Sequence, residues 1–530
     1  MTPFQQFGFL FAIAFAVVFA GVVALRRFWR SPLGVDGADG FRKDQKTPVI
    51  RLGGLPLYAA FIVGYLFSGE SLSLSGSGHL PVEFLLLATA MFLVGLLDDL
   101  FGLPAKLKFG AQLTVALIAY LSEMRIDIIS NPFGGGALEL GGFGILVTVF
   151  WFVALPNLIN LIDGMDGLAG GVALFLSGTL AAIGIFTGNT ALAYISMAMM
   201  GGLVAFLFFN LPPARIYMGD GGAYLLGFYI AATSLISSNK GSVIGAILVV
   251  VIALGFPILD TALAMVRRSL AGLPVTAPDA RHIHHRLQTL GFSKRSILLV
   301  LYGVFFSLNL LGIAVFAFEG YALPIAGMIV VVAMLMGLRI IGLPHTPAEA
   351  KKVIREVLAA RKDIRYAYSL AQVLEHDLDR APSGEVYWGH LRNALARLGI
   401  TPCNEEAQDR EGNGDRSVLV LPVSDELSWH LDCPVPQNRK KQWDRIVRCF
   451  QLPLANGMRK WGTPEDMGLR LAVEKATGTE KAQATRTEHM PAGIASSQEF
   501  GHARLMSLSH KRLRIGETKT SVGKFWSARK

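Results

Sequence analysis

The sequence predicts an all-α polytopic membrane protein of about eleven transmembrane helices, with its active site on the cytoplasmic face and a small mixed cytoplasmic region at the C-terminal end. Three observations predict it. The 530 residues are 52% hydrophobic and only 17% charged, with a mean hydropathy of +0.46, too apolar for an ordinary soluble chain. Apolar runs of about 20 residues, enough to cross roughly 30 Å of hydrocarbon, recur from the N-terminus to about residue 341. Lys and Arg collect in alternate loops, and the carboxylate clusters lie on that same side.

Taken in order, the eleven candidate spans cover approximately 7–26, 53–68, 83–97, 108–122, 142–161, 167–187, 190–209, 221–237, 241–266, 296–316 and 321–341. The first carries no Lys or Arg from Met1 to Gln6, whereas Arg26, Arg27 and Arg30 follow it. That is the reverse of a secretory signal, so the run is expected to be an uncleaved anchor with its N-terminus outside. Loop charge orients the rest. Arg30, Arg42, Lys43, Lys46 and Arg51 lie between spans one and two, Lys106 between three and four, and Arg215 between seven and eight. Arg267, Arg268, Arg281, Arg286, Lys294 and Arg295 lie between nine and ten, while the opposite loops offer little beyond Arg125 and Lys240. These loops are therefore cytoplasmic, and an odd number of spans leaves everything after about residue 342 in the cytoplasm. Cys403, Cys433 and Cys449 all fall there without metal-type spacing and read as ordinary thiols.

Four motifs carry chemistry. Asp98-Asp99 closes the third span, followed by Lys106, Lys108 and Gln112; adjacent carboxylates repel, and at a membrane edge they generally need a cation. A hard ion such as Mg²⁺, held by oxygen and bridging a diphosphate, would supply it. Asn157-Leu-Ile-Asn160-Leu-Ile-Asp163-Gly-Met-Asp166-Gly follows the fifth span, with two carboxylates at i, i+3 and two amides about one turn earlier. Asn210-Leu-Pro-Pro-Ala-Arg-Ile-Tyr217-Met-Gly-Asp220-Gly-Gly turns from span seven into span eight around a single carboxylate, against which phosphate could sit. The loop after span nine holds His282-Ile-His284-His285-Arg286, a compact surface for phosphate and sugar hydroxyls. A transition-metal site is the rival reading for those histidines; against it, no Cys accompanies them and the other clusters are all-oxygen.

Together these motifs resemble the polyprenyl-phosphate N-acetylhexosamine-1-phosphate transferases, glycosyltransferase family 4 in older naming. The matching pieces are Asp98-Asp99 with Lys108 and Gln112, Asn-x-x-Asn-x-x-Asp-Gly-x-Asp-Gly-Leu, Pro-Ala-Arg-Ile-Tyr-Met-Gly-Asp and His-Ile-His-His-Arg, in order across about residues 45–300. The resemblance implies transfer of a HexNAc-1-phosphate, most simply GlcNAc-1-phosphate, from a UDP-sugar to undecaprenyl or another polyprenyl phosphate, with release of UMP. It implies Mg²⁺ as cofactor, with Mn²⁺ an alternative, and a place in the bacterial cytoplasmic membrane. The partners expected are the UDP-sugar donor, the lipid phosphate acceptor and the bilayer, with homodimerisation open.

By position in the motifs, the resemblance makes Asp220 a metal ligand and puts Asp98 at the reacting phosphates, as metal partner or base. Asp99 joins Asp98 as a catalytic residue. Asp163 and Asp166 would be catalytic, organising nucleotide and metal with Asn160, and Asp163 would touch the metal. Asn157, Asn160, Lys108 and Asn210 would bind substrate, and Tyr217 matches the aromatic residue that contacts uracil. His284 and His285 would be catalytic, with His282 and Arg286 on phosphate and sugar. There are three departures. Gly221-Gly222-Ala223 stands where Thr-Gly-Ser is common, the segment from Asp44 to Arg51 lacks a His often found there, and the residues beyond 342 are not part of the shared core.

Two other readings stay in view. The MurNAc-pentapeptide transferase of peptidoglycan synthesis shares the chemistry, but His-Ile-His-His-Arg fits the other branch. A transporter or lipid-binding protein would place charge near the bilayer midplane, and here it gathers at one surface. Beyond residue 342, helical spacing over 347–360, 364–378 and 388–398 and strand-like sequence over 417–432 predict a small mixed unit to about residue 470. Residues 471–530 are polar, basic and expected to be disordered. The net charge of +10 reflects topology and tail, since no aromatic-basic module for nucleic acid is visible.

Overall fold

A computed structural model describes residues 2–36, 48–68, 80–129, 138–236, 243–274, 283, 287, 291–318, 327–328, 347–402, 417–422, 427–433, 440–462 and 469–471. Among the described residues up to 318 run the helices α1 (Pro3–Phe28), α2 (Gly54–Phe67), α3 (Val82–Phe101), α4 (Ala105–Leu121), α5 (Phe143–Ile162), α6 (Leu168–Thr187), α7 (Thr190–Asn210), α8 (Gly219–Ile236), α9 (Val243–Ala253), α10 (Gly255–Ala271) and α11 (Lys294–Ala317). They stand at ten of the eleven predicted spans, with α9 and α10 sharing one; the last, 321–341, lies outside the described helices apart from residues 327–328. Six are long and apolar enough to cross a membrane by themselves, or seven with the bent pair counted as one, which makes the chain a mostly helical, multi-pass membrane protein.

Local sequence accounts for where the helices start and stop. Thr2 caps α1 reciprocally: Gln5 N–H donates to Thr2 Oγ1 at 3.3 Å and Thr2 N–H to Gln5 Oε1 at 2.8 Å, while Arg26 and Arg27 occupy the last turn, where the helix dipole favours cations. Pro104 separates α3 from α4. The single run predicted over 241–266 is two helices bent by 68°. Pro257 is the cause, since it donates no hydrogen bond and its ring would collide with the carbonyl of Ala253, the residue at which α9 ends.

Helix α7 lies at the centre, packed by α1, α2 and α6, and α8 sits between α3 and α5. The outer helices turn large apolar side chains outward, among them Phe19, Leu86, Leu117, Phe150 and Leu299, as a lipid-facing surface requires.

The C-terminal region folds around a second core. The two helical stretches expected over 347–378 are one 34-residue helix, α12 (Pro347–Arg380), followed by α13 (Gly384–Ala396). Val357, Ala360, Ile364, Ala367, Ala371 and Leu374 recur at helical spacing along its buried side. Strands β1 (Thr401–Pro402), β2 (Ser417–Pro422), β3 (Leu427–Cys433) and β4 (Leu469–Leu471) form an antiparallel sheet in which β3 pairs with all three others. Trp429, Leu431 and Cys433 alternate inward from β3. Two further helices, α14 (Lys440–Val447) and α15 (Gln451–Trp461), complete the unit; neither is among the stretches expected above, although Trp443, Ile446 and Val447 stand at i, i+3 and i+4. Leu270, Ala271 and Leu273, at the end of α10, are built into this same core. Of the cysteines, Cys433 is buried and Cys449 partly buried, neither in a disulfide, and Cys403 lies outside the described residues. The expected disordered tail, 471–530, lies outside them except for Leu471.

Candidate active site

Asp98 and Asp99 end α3, and adjacent positions on a helix point about 100° apart. They meet different surroundings. Asp98 Oδ1 accepts from the Leu103 backbone N–H at 2.8 Å, and Oδ2 pairs with Lys108 Nζ at 2.8 Å. Asp99 points inward, with only 2% of its side chain exposed. Its two oxygens accept the backbone N–H groups of Asp220 and Gly221, each at 2.9 Å, in the first turn of α8. Asp99 thus caps a helix 121 residues away in sequence, where unpaired N–H groups and the positive end of the helix dipole favour an anion.

This cap sets the position of Asp220. Lys108 Nζ lies 3.6 Å from Asp220 Oδ2, and Arg51 Nη2 lies 3.7 Å from both Asp220 Oδ1 and Asp99 Oδ1. Two cations are therefore shared among three carboxylates. Close backbone approach makes this possible: a side chain at Gly95 would strike the backbone of Asp220 and Gly221, and Gly219, at φ +75°, turns its chain against Arg51 and Asp99. The Arg51 segment is held in turn by the loop before α8, with Tyr217 N–H donating to Ile50 O at 2.8 Å and Gly53 N–H to Tyr217 O at 2.9 Å. In the sequence Arg51 reads only as a topological charge. Its place just before Gly53-Gly54 is the signal that could have marked it.

The turn between α5 and α6 brings in Asp163, half-buried, whose carboxyl is pushed well above the usual range by burial and then by the charge of Asp220, against the pull of Arg51. Asn160, one turn before it, hydrogen-bonds Asp220. The structure therefore brings together Asp98, Asp99, Lys108, Asn160, Asp163 and Asp220. Asp166 Oδ2 accepts from Ala214 N–H at 2.9 Å, tying this turn to the loop before α8.

Two of the residues expected to contact substrate hydrogen-bond the protein itself. Asn210 is only 1% exposed; its Oδ1 accepts from Gly167 N–H at 3.0 Å and its Nδ2 donates to Ile216 O at 2.9 Å, so it joins the same two loops from within. Asn157 donates to Gln112 Oε1 at 2.6 Å and to Val153 O at 2.7 Å, linking α5 to α4. Amides at helix ends suit ligands, but buried amides also satisfy polar groups of the protein itself, and both residues do the latter. Tyr217 is half-buried, and its backbone joins the loop before α8 to the Arg51 segment on both sides. His282, His284, His285 and Arg286 lie outside the described residues; between them Ile283 is buried, and its N–H donates to Asp260 of α10 at 3.3 Å.

The donor set is all-oxygen, which fits a hard divalent cation. Among the described residues no three acidic, His or Cys side chains form a closed cage. Mg²⁺ needs none, since it usually takes one or two carboxylates and completes its shell with water and substrate phosphate. Asp220, with Asp98 or Asp163, supplies that number, and the crowding of Asp163 by Asp220 is the repulsion a cation would relieve.

Residues 82–238, which carry α3 to α8, match the family described as glycosyl transferase family 4. The chain is 37% identical over 270 residues to a probable undecaprenyl-phosphate N-acetylglucosaminyl 1-phosphate transferase of Bacillus subtilis (strain 168), covering 51% of this chain and 74% of that protein. It is 33% identical over 301 residues to a decaprenyl-phosphate N-acetylglucosaminephosphotransferase of Mycobacterium tuberculosis, covering 52% and 74%. With the undecaprenyl-phosphate alpha-N-acetylglucosaminyl 1-phosphate transferase of Escherichia coli (strain K12) it shares 28% over 302 residues, 54% of this chain and 76% of that one. On this similarity, together with the Asp98-Asp99, Asp163 and Asp220 cluster, the chain belongs to glycosyl transferase family 4.

Proposed function

We propose that the protein transfers N-acetylglucosamine 1-phosphate from a UDP-sugar to a polyprenyl phosphate in the bacterial cytoplasmic membrane. The observation that carries the reading is the sharing of Lys108 and Arg51 among Asp98, Asp99 and Asp220 at the ends of α3 and α8. A phosphate oxygen of the lipid attacks the sugar-bearing phosphorus of the donor, the bond from that phosphorus to the UMP oxygen breaks, and UMP leaves. Such chemistry needs little covalent help; positioning and neutralisation of negative charge supply most of the rate. Lys108 and Arg51 are the protein's own counter-charges for the two phosphates. Asp98 holds Lys108 toward them, and Asp99 holds Asp220 in place. Mg²⁺ on Asp220, with Asp98 or Asp163, would withdraw charge from the phosphoryl oxygens. The acceptor phosphate is largely ionised at neutral pH, so Asp98 has less need to act as a strong base.

Residues 1–341 form the transferase in eleven spans, with the N-terminus outside, 342–470 is a cytoplasmic module, and 471–530 is a basic tail. His282, His284, His285 and Arg286 act on phosphate and sugar, and Tyr217 on the base. UMP release from UDP-GlcNAc by purified protein, polyprenyl phosphate and Mg²⁺ tests the reading. Turnover abolished in Asp220→Ala is expected; no turnover with any UDP-HexNAc, or full turnover in that variant, refutes it.

A further inference from the structure

The buried side of α12 is accounted for by the second core, and one flank, at Arg361 and Arg365, by the end of α10; among the described residues the rest of the opposite side is exposed. Lys351, Ile354, Arg355, Leu358, Lys362 and Tyr366 fall within an arc of about 120° over its first half. All six are exposed, the apolar three at 39% (Ile354), 46% (Leu358) and 46% (Tyr366). The carboxylates of the same turns, Glu349, Glu356 and Asp363, lie outside the arc, and Glu356 acts on Arg445 of the C-terminal unit. A strip that interleaves cations with large apolar groups and excludes acids matches a bilayer interface, where phosphate lies above hydrocarbon.

The helix is also tied to the end of α10. Leu270, Ala271 and Leu273, where α10 leaves the bundle, share one core with α12, and Arg361 and Arg365 lie against Gly272. The chain enters α12 shortly after the last apolar run of the sequence. We propose that this face of α12 lies on the anionic headgroups of the leaflet from which α10 emerges, with Lys351, Arg355 and Lys362 on lipid phosphate and Ile354, Leu358 and Tyr366 at the acyl boundary. The extension is then a peripheral anchor that fixes the end of α10, independent of what the membrane domain catalyses.

The test places the full chain carrying Leu358→Cys in nanodiscs of phosphatidylcholine alone and of phosphatidylcholine with about one-third phosphatidylglycerol, and follows labelling by a water-soluble maleimide, with the site read by mass spectrometry. Labelling about tenfold slower in the anionic discs is expected, with the difference removed by high salt and by Lys351→Glu/Arg355→Glu/Lys362→Glu. Asp363→Cys, off the strip, labels equally in both. Fast labelling of residue 358 in both lipids shows an open face and overturns the proposal. Slow labelling in both also overturns it, by showing that protein, a second copy or this chain, covers the strip. The salt arm needs no charge variant and holds even if the triple variant misfolds.

Discussion

Replacing Asp99 with Asn separates positioning from chemistry at this site. Asp99 is buried and accepts two backbone N–H bonds of 2.9 Å, and Arg51 stands 3.7 Å away. A carboxamide keeps one acceptor oxygen and turns its NH₂ toward the second N–H, so one charge-assisted bond is lost and one donor is left unpaired, at a cost of about 2–4 kcal/mol. If half or more of that appears as displacement of Asp220, turnover falls by at least about 5- to 30-fold at fixed Mg²⁺. The assay is UMP release against Mg²⁺ concentration, with the melting temperature measured in parallel. A positioning role predicts a raised Mg²⁺ half-saturation and partial recovery of turnover at high Mg²⁺, whereas Asp220→Asn recovers little. Turnover within about threefold of the parent at all Mg²⁺ concentrations would refute the cap as a determinant of Asp220. A deep loss with unchanged Mg²⁺ half-saturation would instead place Asp99 in the chemistry.

Arg51→Ala is expected to lower kcat/KM by about 10- to 100-fold while Arg51→Lys keeps part of it, read by steady-state kinetics with the donor varied. Asn210→Ala removes two buried hydrogen bonds and leaves Gly167 N–H and Ile216 O unpaired; about 2–4 kcal/mol should be lost, seen as a lower melting temperature with little change in KM. The carboxyl of Asp163 takes up its proton above the usual carboxylate range, so the metal-free fold binds more protons there than the unfolded chain. Its stability should therefore fall as pH rises from the ordinary carboxylate value through the raised one, and Mg²⁺ should remove that dependence and release protons on binding, measured by pH-dependent melting and calorimetry in two buffers. Truncation after residue 345 bares Leu270 and Leu273; turnover should survive within about tenfold with a lower melting temperature, and complete loss would deny that the membrane domain suffices.

The multi-pass character was legible because a run of roughly 20 apolar residues finds few places to be buried except across hydrocarbon, and the carboxylates stand out because charge at the end of such a run is costly. What escaped was long-range pairing. Nothing in Asp98-Asp99 tells which carboxylate faces a helix N-terminus 121 residues later, and nothing in Asn210 separates a ligand amide from one that closes two loops. The break at Pro257 was readable, but the uninterrupted apolar run around it outweighed a single residue. In the extension, β3 has a period-2 core that is visible in its sequence, while α14 and α15 bury their apolar residues against α12, a contact local periodicity does not encode.

The division of labour at residues 98 and 99 follows from helix geometry. Two ionised neighbours would repel if they shared one solvent pocket, yet about 100° of rotation directs one into the protein and the other toward Lys108. The inward carboxylate then needs partners that cost little to bring, and the N-terminus of α8 offers N–H groups that have no helical partner of their own. By meeting that need, Asp99 joins α3 to α8 at the residue where α8 presents its own carboxylate, so Asp98 and Asp220 are set relative to each other through one buried carboxylate held at both oxygens. Lys108, 2.8 Å from one and 3.6 Å from the other, can then serve both. Exchanging the two roles would require rotating α3 by about a quarter turn, which the close passage of Gly95 against Asp220 and Gly221 forbids.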